Sequence, residues 1–340
     1  MEDCLKTSSY DFFLPSSLIA IAPAFPADSA KLLVYDRKQN RITHTIFKEI
    51  LDFLPQELEI FLNDTKVIKA RIFGVKTSGA KVELLLSKPL LDDKFLVMIR
   101  GKVKIGTVLL FDENLRAEVL ELKEDGSRIV EFFKDTKKLD FTSLIEVLNK
   151  IGHTPLPPYI KRDDTKDDEK DYQTLFAKKY GAVAAPTASL HFTKELLEQI
   201  EKKYGLNYLT LHVGAGTFKP VEVENILSHS MHSEYFEISK ECKNKIDSAK
   251  NILAVGTTVT RTLEFYARKN ILCGECDLFL NPLNRPIKVN HLLTNFHLPK
   301  STLIMLVASF IGLEKTLEIY NEAIKNDYRF YSYGDAMLII

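Results

Sequence analysis

No stretch of this chain stays apolar for long enough to cross a membrane. The longest run, Leu303 to Leu313, is broken at Ser309 and Gly312, short of the roughly 20 residues that a spanning helix needs. The opening Met1-Glu2-Asp3-Cys4 has neither a basic nor an apolar leader region, so no signal peptide is expected. Cysteine is scarce, with 4 in 340 residues, which argues against a disulfide framework. Neither sign of charge is in excess: 46 Lys and Arg balance 46 Asp and Glu. No global positive field draws the chain onto nucleic acid, and any RNA surface must be a local patch. There is no internal repeat and no low-complexity tract. These absences lead to a soluble, cytoplasmic protein, and 45% hydrophobic with 27% charged residues suits a packed core. The length implies two domains, or one large domain with an insertion.

What is present falls into three textures. Residues 1–70 mix short strands and loops, with strands at Lys31–Tyr35 and Glu59–Leu62. Residues 71–150 carry about six short alternating runs, separated by turn residues such as Ser78-Gly79, Asp112-Glu113-Asn114 and Asp125-Gly126. That spacing predicts a small antiparallel β-barrel, left through a helix at Phe141–Lys150. Residues 151–340 open on the stiff Pro155-Leu156-Pro157-Pro158. The densely charged Lys161–Asp171 follows, read as a mobile loop. After it come strand-then-helix units: Ala182–Ala185, then Lys194–Lys203; Leu209–Val213; Ile252–Val255, then Val259–Arg268; His291–Leu293, then a helix from about Ser301. This alternation predicts an α/β fold with parallel strands, barrel-like in form. The expected domains are 1–70 with 151–340, and an inserted barrel at 71–150.

Chemistry should sit where those strands end, because ligand sites in α/β folds gather at the carboxyl ends of strands. Four such ends are polar: Thr187 to Thr193 with His191, His212 to Thr217 with Gly214 and Gly216, Gly256-Thr257-Thr258, and Thr294-Asn295-Phe296-His297. Converging, they would form a pocket of hydroxyls, amides and imidazoles, with Glu234 and Asp335 nearby. Gly214-Ala215-Gly216-Thr217 lacks a third glycine, and Phe218-Lys219-Pro220-Val221 does not open a helix, so it is no dinucleotide fingerprint. It reads either as a tight turn or as backbone placed close to a ligand. Thr257 and Thr258 read either as an N-cap or as an anion site at a helix start. Arg261, a cation in the first turn, opposes the helix dipole. His191, His212, His232 and His297 stand out from His44 and His153 by lying beside Gly, Thr or Asn at strand ends, and imidazole suits proton transfer near neutrality.

His229-Ser230-Met231-His232 and Cys273-Gly274-Glu275-Cys276 together offer a Cys2His2 ligand set for zinc. The HxxH spacing is loose and no second CxxC exists, so no metal is expected.

Beyond these readings, the motifs form an ordered series. Asn63-Asp64-Thr65 through Arg71, Pro155 through Ile160, Asp171 through Thr174, Val183 through Thr193, Leu211 through Phe218, Met231-His232-Ser233-Glu234, Ala254 through Thr258, Leu293 through Pro299, and Tyr328-Arg329-Phe330 with Ser332 through Met337 resemble the S-adenosylmethionine:tRNA ribosyltransferase-isomerases of queuosine biosynthesis. The likeness runs from about Tyr10 to Ile340. The chain departs from the family pattern at Ser189, Lys31 and Leu283. The resemblance implies an α/β domain with an inserted β-barrel. It implies an enzyme that moves the ribosyl part of S-adenosylmethionine, a co-substrate, onto 7-aminomethyl-7-deazaguanine at the tRNA wobble position. The products would be epoxyqueuosine-tRNA, adenine and methionine. The partner would be a precursor-modified tRNA with a GUN anticodon, and the protein is expected to act as a monomer. Catalytic roles are expected at His191, His212, His232, Glu234 and His297. Substrate binding is expected at Asn63, Asp64, Arg71, Thr187, Gly214, Gly216, Thr217, Thr257, Thr258, Arg261, Thr294, Asn295 and Asp335.

The sulfonium acidifies the neighbouring 5′ carbon, so a base is needed; adenine leaves more readily when protonated, so an acid is needed. Two other classes compete. A methyltransferase is disfavoured by the missing Gly-rich first loop, and a noncatalytic RNA-binding module by zero net charge and the polar strand ends.

Overall fold

The computed structural model describes residues 3–218 and 221–340. Met1 and Glu2, and the Lys219-Pro220 part of the Phe218–Val221 reading, lie outside them; before that gap a 3-10 turn spans Ala215–Phe218. The chain divides into two compact units. One comprises Met1–Thr65, Gln173–Lys179 and Pro186–Ile340, and the other Lys66–Tyr172 and Tyr180–Ala185.

The first unit is built on a nine-stranded sheet. Its spatial order is Cys273–Cys276, Glu234–Glu237, Asn207–Leu211, Glu59–Asn63, Ile252–Val255, His291–Asn295, Ala336–Ile339, Lys31–Asp36 and Arg41–Ile46. From Asn207–Leu211 to His291–Asn295 the neighbours run parallel. Ala336–Ile339 is antiparallel to His291–Asn295 but parallel to Lys31–Asp36. The sheet is therefore mixed, with a parallel centre and antiparallel edges.

Alternation divides the core between two faces, since successive strand residues point to opposite sides. Leu33, Tyr35, Leu292, Met337 and Ile339 pack with the helix Thr302–Ile311 and with Ile319 and Tyr320 of Leu313–Lys325. Leu32, Val34, Ile60, Leu62, Leu253, Val255 and Leu293 pack instead with Phe47, Ile50, Leu196 and Ile200. The parallel centre aligns the carboxyl ends of four strands on one edge, at Asn63, Leu211, Val255 and Asn295. Every loop expected to carry chemistry, apart from the barrel's Arg71, leaves from that edge or packs beside it.

The second unit is a closed six-stranded antiparallel barrel. Its strands run around in the order Arg71–Lys76, Lys81–Pro89, Phe95–Arg100, Arg128–Lys134, Leu115–Leu122 and Val108–Leu110. Pairing of Arg128–Lys134 with Leu115–Leu122 closes the ring. Alternate residues fill it: Val82, Leu84 and Leu86 on one strand, Leu115, Ala117 and Val119 on another. Phe95 and Phe132 meet edge to face at 5.3 Å.

The units divide at Thr65/Lys66 and Tyr172/Gln173, not at 70/71 and 150/151. His153 exchanges backbone hydrogen bonds with Arg71, at 2.8 and 3.3 Å, which draws the segment after the helix Phe141–Ile151 onto a barrel strand. The charged stretch Lys161–Asp171 is not a bare loop. Asp168 accepts two bonds from Arg162 at 2.6 and 2.8 Å and others from Thr165, and it opens a short helix, Asp168–Asp171. The Arg162 bonds hold the Asp168 carboxyl down at about 2. Ala182–Ala185 is not a strand of the main sheet either: the strand is Lys179–Ala182 and joins a separate two-stranded pair.

Candidate functional site

The strand-end loops of the first unit gather into two clusters. The larger surrounds a narrow cleft lined by Gly216, Thr217, His229, Met231, His232, Glu234, Thr257, Thr258, Arg261, Thr302 and Leu303. At its floor Glu234 is paired with Arg261, each side chain only 5% exposed. Two unlike charges survive such burial only when their remaining lone pairs and protons are satisfied, and here they are. Glu234 also accepts from the Gly214 N–H at 2.9 Å and the Thr217 hydroxyl at 3.3 Å. Arg261 also donates to the carbonyls of Leu278 at 3.0 Å, Cys276 at 3.0 Å and His232 at 3.3 Å. The pair resolves the puzzle of a cation near a helix N-terminus: Arg261 answers a carboxylate, not the helix dipole. It also fixes the loop Gly214–Thr217 against the strand Glu234–Glu237.

Gly216 is required by contact, not by dihedral angle. A β-carbon there would lie 2.7 Å from Cγ and Cδ2 of His232. The imidazole therefore rests directly on the glycine backbone.

Thr257 and Thr258 do not cap their helix. The helix is Thr257–Lys269, its N-cap is Gly256 at φ 97°, and no side chain caps it. The first N–H groups of any helix lack intrahelical partners, and here the first turn faces the cleft, a suitable position for an anionic group. The Thr258 hydroxyl accepts from Asn63 at 3.3 Å. Asn63 is wholly buried and works as a brace: it donates to Leu211 O at 2.9 Å and accepts from Leu211 N at 3.0 Å. Asp64 accepts from the Thr210 hydroxyl at 2.6 Å. His212 bonds Thr65 at 2.8 Å and stacks on Tyr235 at 5.9 Å. Burial, with Lys179 nearby, pushes its ring down to about 4.

The second cluster is a set of buried polar chains. Thr187 donates to Asn295 at 2.9 Å, and the Asn295 amide donates to His191 at 3.1 Å and to Gly334 O at 3.3 Å. The His297 ring bonds Thr294 at 2.9 Å, and the His297 backbone N–H donates to the Tyr320 hydroxyl at 3.2 Å. Burial holds both His191 and His297 neutral, at about 3, with Arg329 adding to the effect at His191. Asp335 accepts from the backbone N–H of Arg329 at 2.7 Å and of Lys31 at 3.0 Å, which closes the loop before the strand Ala336–Ile339. Ala188 lies 3.7 Å from where a Gly256 side chain would begin, so the clusters adjoin. Ser189 is buried beside them, and its hydroxyl finds no partner among the described residues.

Of the residues singled out in the sequence, Gly216, Thr217, His232, Glu234, Thr257, Thr258 and Arg261 line the cleft. Asn63, Asp64, His212 and Gly214 support it from behind. Thr187, His191, Thr294, Asn295, His297 and Asp335 form the second cluster. Arg71 belongs to the barrel unit, where it donates to Glu83 at 2.7 Å and stands over the Phe73 ring. His229, Met231, Thr302 and Leu303 line the cleft without having been singled out as catalytic or substrate-binding. The only signal in the sequence for His229 is its spacing from His232, which by itself suggests a metal ligand, not a cleft residue. Cys273 is exposed and Cys276 buried, as expected of residues three apart on a strand, which face opposite sides; that geometry does not let the two thiols grip one ion. Among the described residues no helix is long and apolar enough to cross a membrane.

Comparison with known proteins shows what the whole chain is similar to. A protein of Aliarcobacter butzleri named S-adenosylmethionine:tRNA ribosyltransferase-isomerase is 74% identical over the full length of both chains. One of the same name from Nitratiruptor is 62% identical, also over both full lengths. A crystal structure of an S-adenosylmethionine tRNA ribosyltransferase from Thermotoga maritima superposes with a TM-score of 0.54 at 36% identity, covering 98% of this chain and 100% of that one. Residues 7–339 match the family described as Queuosine biosynthesis protein, and the chain belongs to that family.

Proposed function

We propose that the protein transfers and isomerises the ribosyl moiety of S-adenosylmethionine onto 7-aminomethyl-7-deazaguanine at the wobble position of tRNA. The products are epoxyqueuosine-tRNA, adenine and methionine. The observation that carries this reading is the cleft. Motif segments far apart in sequence, Gly214–Thr217, Met231–Glu234 and Thr257–Arg261, meet there in a chain that matches the ribosyltransferase-isomerases along its whole length.

Its chemistry suits the donor. The first turn of Thr257–Lys269 accepts an anionic group such as the methionyl carboxylate. The Gly216 backbone, with no side chain in the way, lets the His232 ring lie directly against it at the cleft. Glu234 is saturated by Arg261, Gly214 and Thr217, so it shapes the site and keeps it electrically balanced. His191 and His297 are buried among fixed partners and serve the framework. Proton transfer falls to His229 and His232, the imidazoles that line the cleft. No metal is needed, because the sulfonium itself supplies the electrophile. The protein works as a cytoplasmic monomer on a precursor-modified tRNA with a GUN anticodon.

The test is product analysis. Purified protein given S-adenosylmethionine should release adenine only when tRNA bearing the aminomethyl-deazaguanine is present, and dialysis against a strong chelator should leave the rate unchanged. Release of S-adenosylhomocysteine in place of adenine would mark a methyltransferase and overturn the reading.

A further inference from the structure

We propose that the N-terminal segment Asp11–Pro26 is a rim on which unpaired bases of the RNA substrate stack, with the rings of Phe13 and Phe25 as the stacking faces. The inference rests on the tRNA substrate proposed above and adds to it a recognition surface.

The segment is stapled in place. Phe12, Leu14 and Leu18 pack onto the core that contains Tyr320 and Phe330, and the Phe12 ring meets those two at 5.4 and 6.2 Å. Backbone bonds add to this: Lys300 N to Tyr10 O at 3.1 Å, Phe330 N to Leu18 O at 2.7 Å, and Ala20 N to Phe330 O at 3.1 Å. The Arg329 guanidinium donates to Ala22 O at 3.3 Å.

These anchor points belong to the site's own loops. Lys300 stands two residues before Thr302, which lines the cleft. Arg329 is hydrogen-bonded to Asp335 and acts on His191. The segment thus follows both clusters along the same unit.

On this anchored backbone three large apolar side chains point into water: Phe13 at 83% exposure, Ile21 at 59% and Phe25 at 98%. Scattered exposed apolar residues are ordinary. Two nearly bare phenyl rings on one segment tied to the site's loops are better explained by a partner.

The chemistry of the partner follows from the substrate. A wobble base lies in a single-stranded loop, and such loops are bound by splaying bases onto aromatic faces. The neighbouring cations are already engaged: Lys300 with Asp11 at 2.6 Å, and the Arg329 guanidinium with Asp335 at 3.5 Å and with Ala22 O at 3.3 Å. This rim therefore contributes stacking, not phosphate neutralisation.

The experiment uses the full-length protein and precursor tRNA. Phe13→Ala and Phe25→Ala, singly and together, should each raise the KM for tRNA about 5- to 100-fold. The KM for S-adenosylmethionine, the melting temperature and the dependence of tRNA binding on salt should stay as they were. Phe13→Tyr and Phe25→Tyr should retain tRNA binding. If the alanine variants bind and modify tRNA normally while the parent protein shows tRNA-dependent adenine release, the rim is wrong and the function stands. If the parent shows no such release, the functional reading itself fails. Conversion of a dimer to a monomer by the double variant, with tRNA binding unaffected, would assign the rings to self-association and overturn the proposal.

Discussion

Glu234 and Arg261 form a buried ion pair that ties the strand Glu234–Glu237 to the helix Thr257–Lys269. Its partners are complete, so breaking it from either side leaves a charge without compensation. Arg261→Met and Glu234→Leu should each cost about 3–5 kcal/mol of stability. The double variant should recover part of that loss, because both charges are then gone. Urea unfolding of the four proteins in the cycle measures this; strictly additive losses would show that the two charges are not coupled.

Gly216→Ala should damage the cleft without unfolding the protein. Its β-carbon would press on the His232 ring at 2.7 Å, whereas a β-carbon at Gly214 meets only a Glu234 oxygen at 3.9 Å. Gly216→Ala should lower kcat/KM for S-adenosylmethionine at least about 10-fold, and Gly214→Ala much less. Equal effects from the two substitutions would mean that contact with His232 is not the reason for the glycine.

The histidines should separate into two kinds. His229→Ala should lower turnover about 100-fold or more with stability unchanged, as expected for a group in the cleft that handles protons. His297→Ala removes the partner of Thr294 and should cost about 1–3 kcal/mol of stability, while the folded fraction keeps most of its turnover. Parallel rate and unfolding measurements on both variants check this, and the opposite pattern would move the proton chemistry to the buried cluster.

Acid should destabilise the fold through four histidines, His191 and His297 buried and His212 and His291 partly so. His191 and His297 titrate near 3, His212 and His291 near 4, each lowered first by burial. The unfolded chain takes up their protons near 6.5, so below that pH it binds more protons than the native state. Stability should then rise with pH between about 4 and 6.5 and level off above. Denaturant midpoints across pH 4–8 test this. His297→Gln should reduce the slope, and a slope unchanged by it would place the titration elsewhere.

RNA affinity should also draw on the barrel. Arg100, Lys102 and Lys104 lie together at its surface, with Arg100 tethered to Glu83 at 3.3 Å. If all three meet phosphates, reversing their charges should flatten the log–log dependence of tRNA binding on salt by roughly 0.7–0.9 per contact. An unchanged slope would leave the electrostatic contacts to the other unit.

The chain's own order of residues determined much of this protein. Alternation with a period of two marked each of the six barrel strands from Arg71 to Phe133, most of them to within a residue, though Lys81–Pro89 runs three residues past the alternating run, because a strand with one buried face must repeat that way. The helices Phe141–Ile151 and Lys194–Tyr204 follow from local signals, Asp140 and Thr193 as caps and Gly205 as a stop. The polar strand ends pointed to the edge where the loops lining the cleft gather, since polar groups after apolar strands need partners. What a local pattern does not encode is which segments meet. The strands Glu234–Glu237 and Cys273–Cys276 are short, and only pairing makes them strands: the first with Asn207–Leu211 and with the second, the second with the first alone. Ala336–Ile339, from the end of the chain, enters the middle of the sheet through contacts with residues about 300 positions earlier. Four histidines with similar local surroundings were divided only by tertiary packing. His191 and His297 are sealed inside, His212 is stacked behind the loop, and His232 opens onto the cleft with His229. Burial and partner identity decide an imidazole's proton affinity and reach, and both are properties of what surrounds the ring in space.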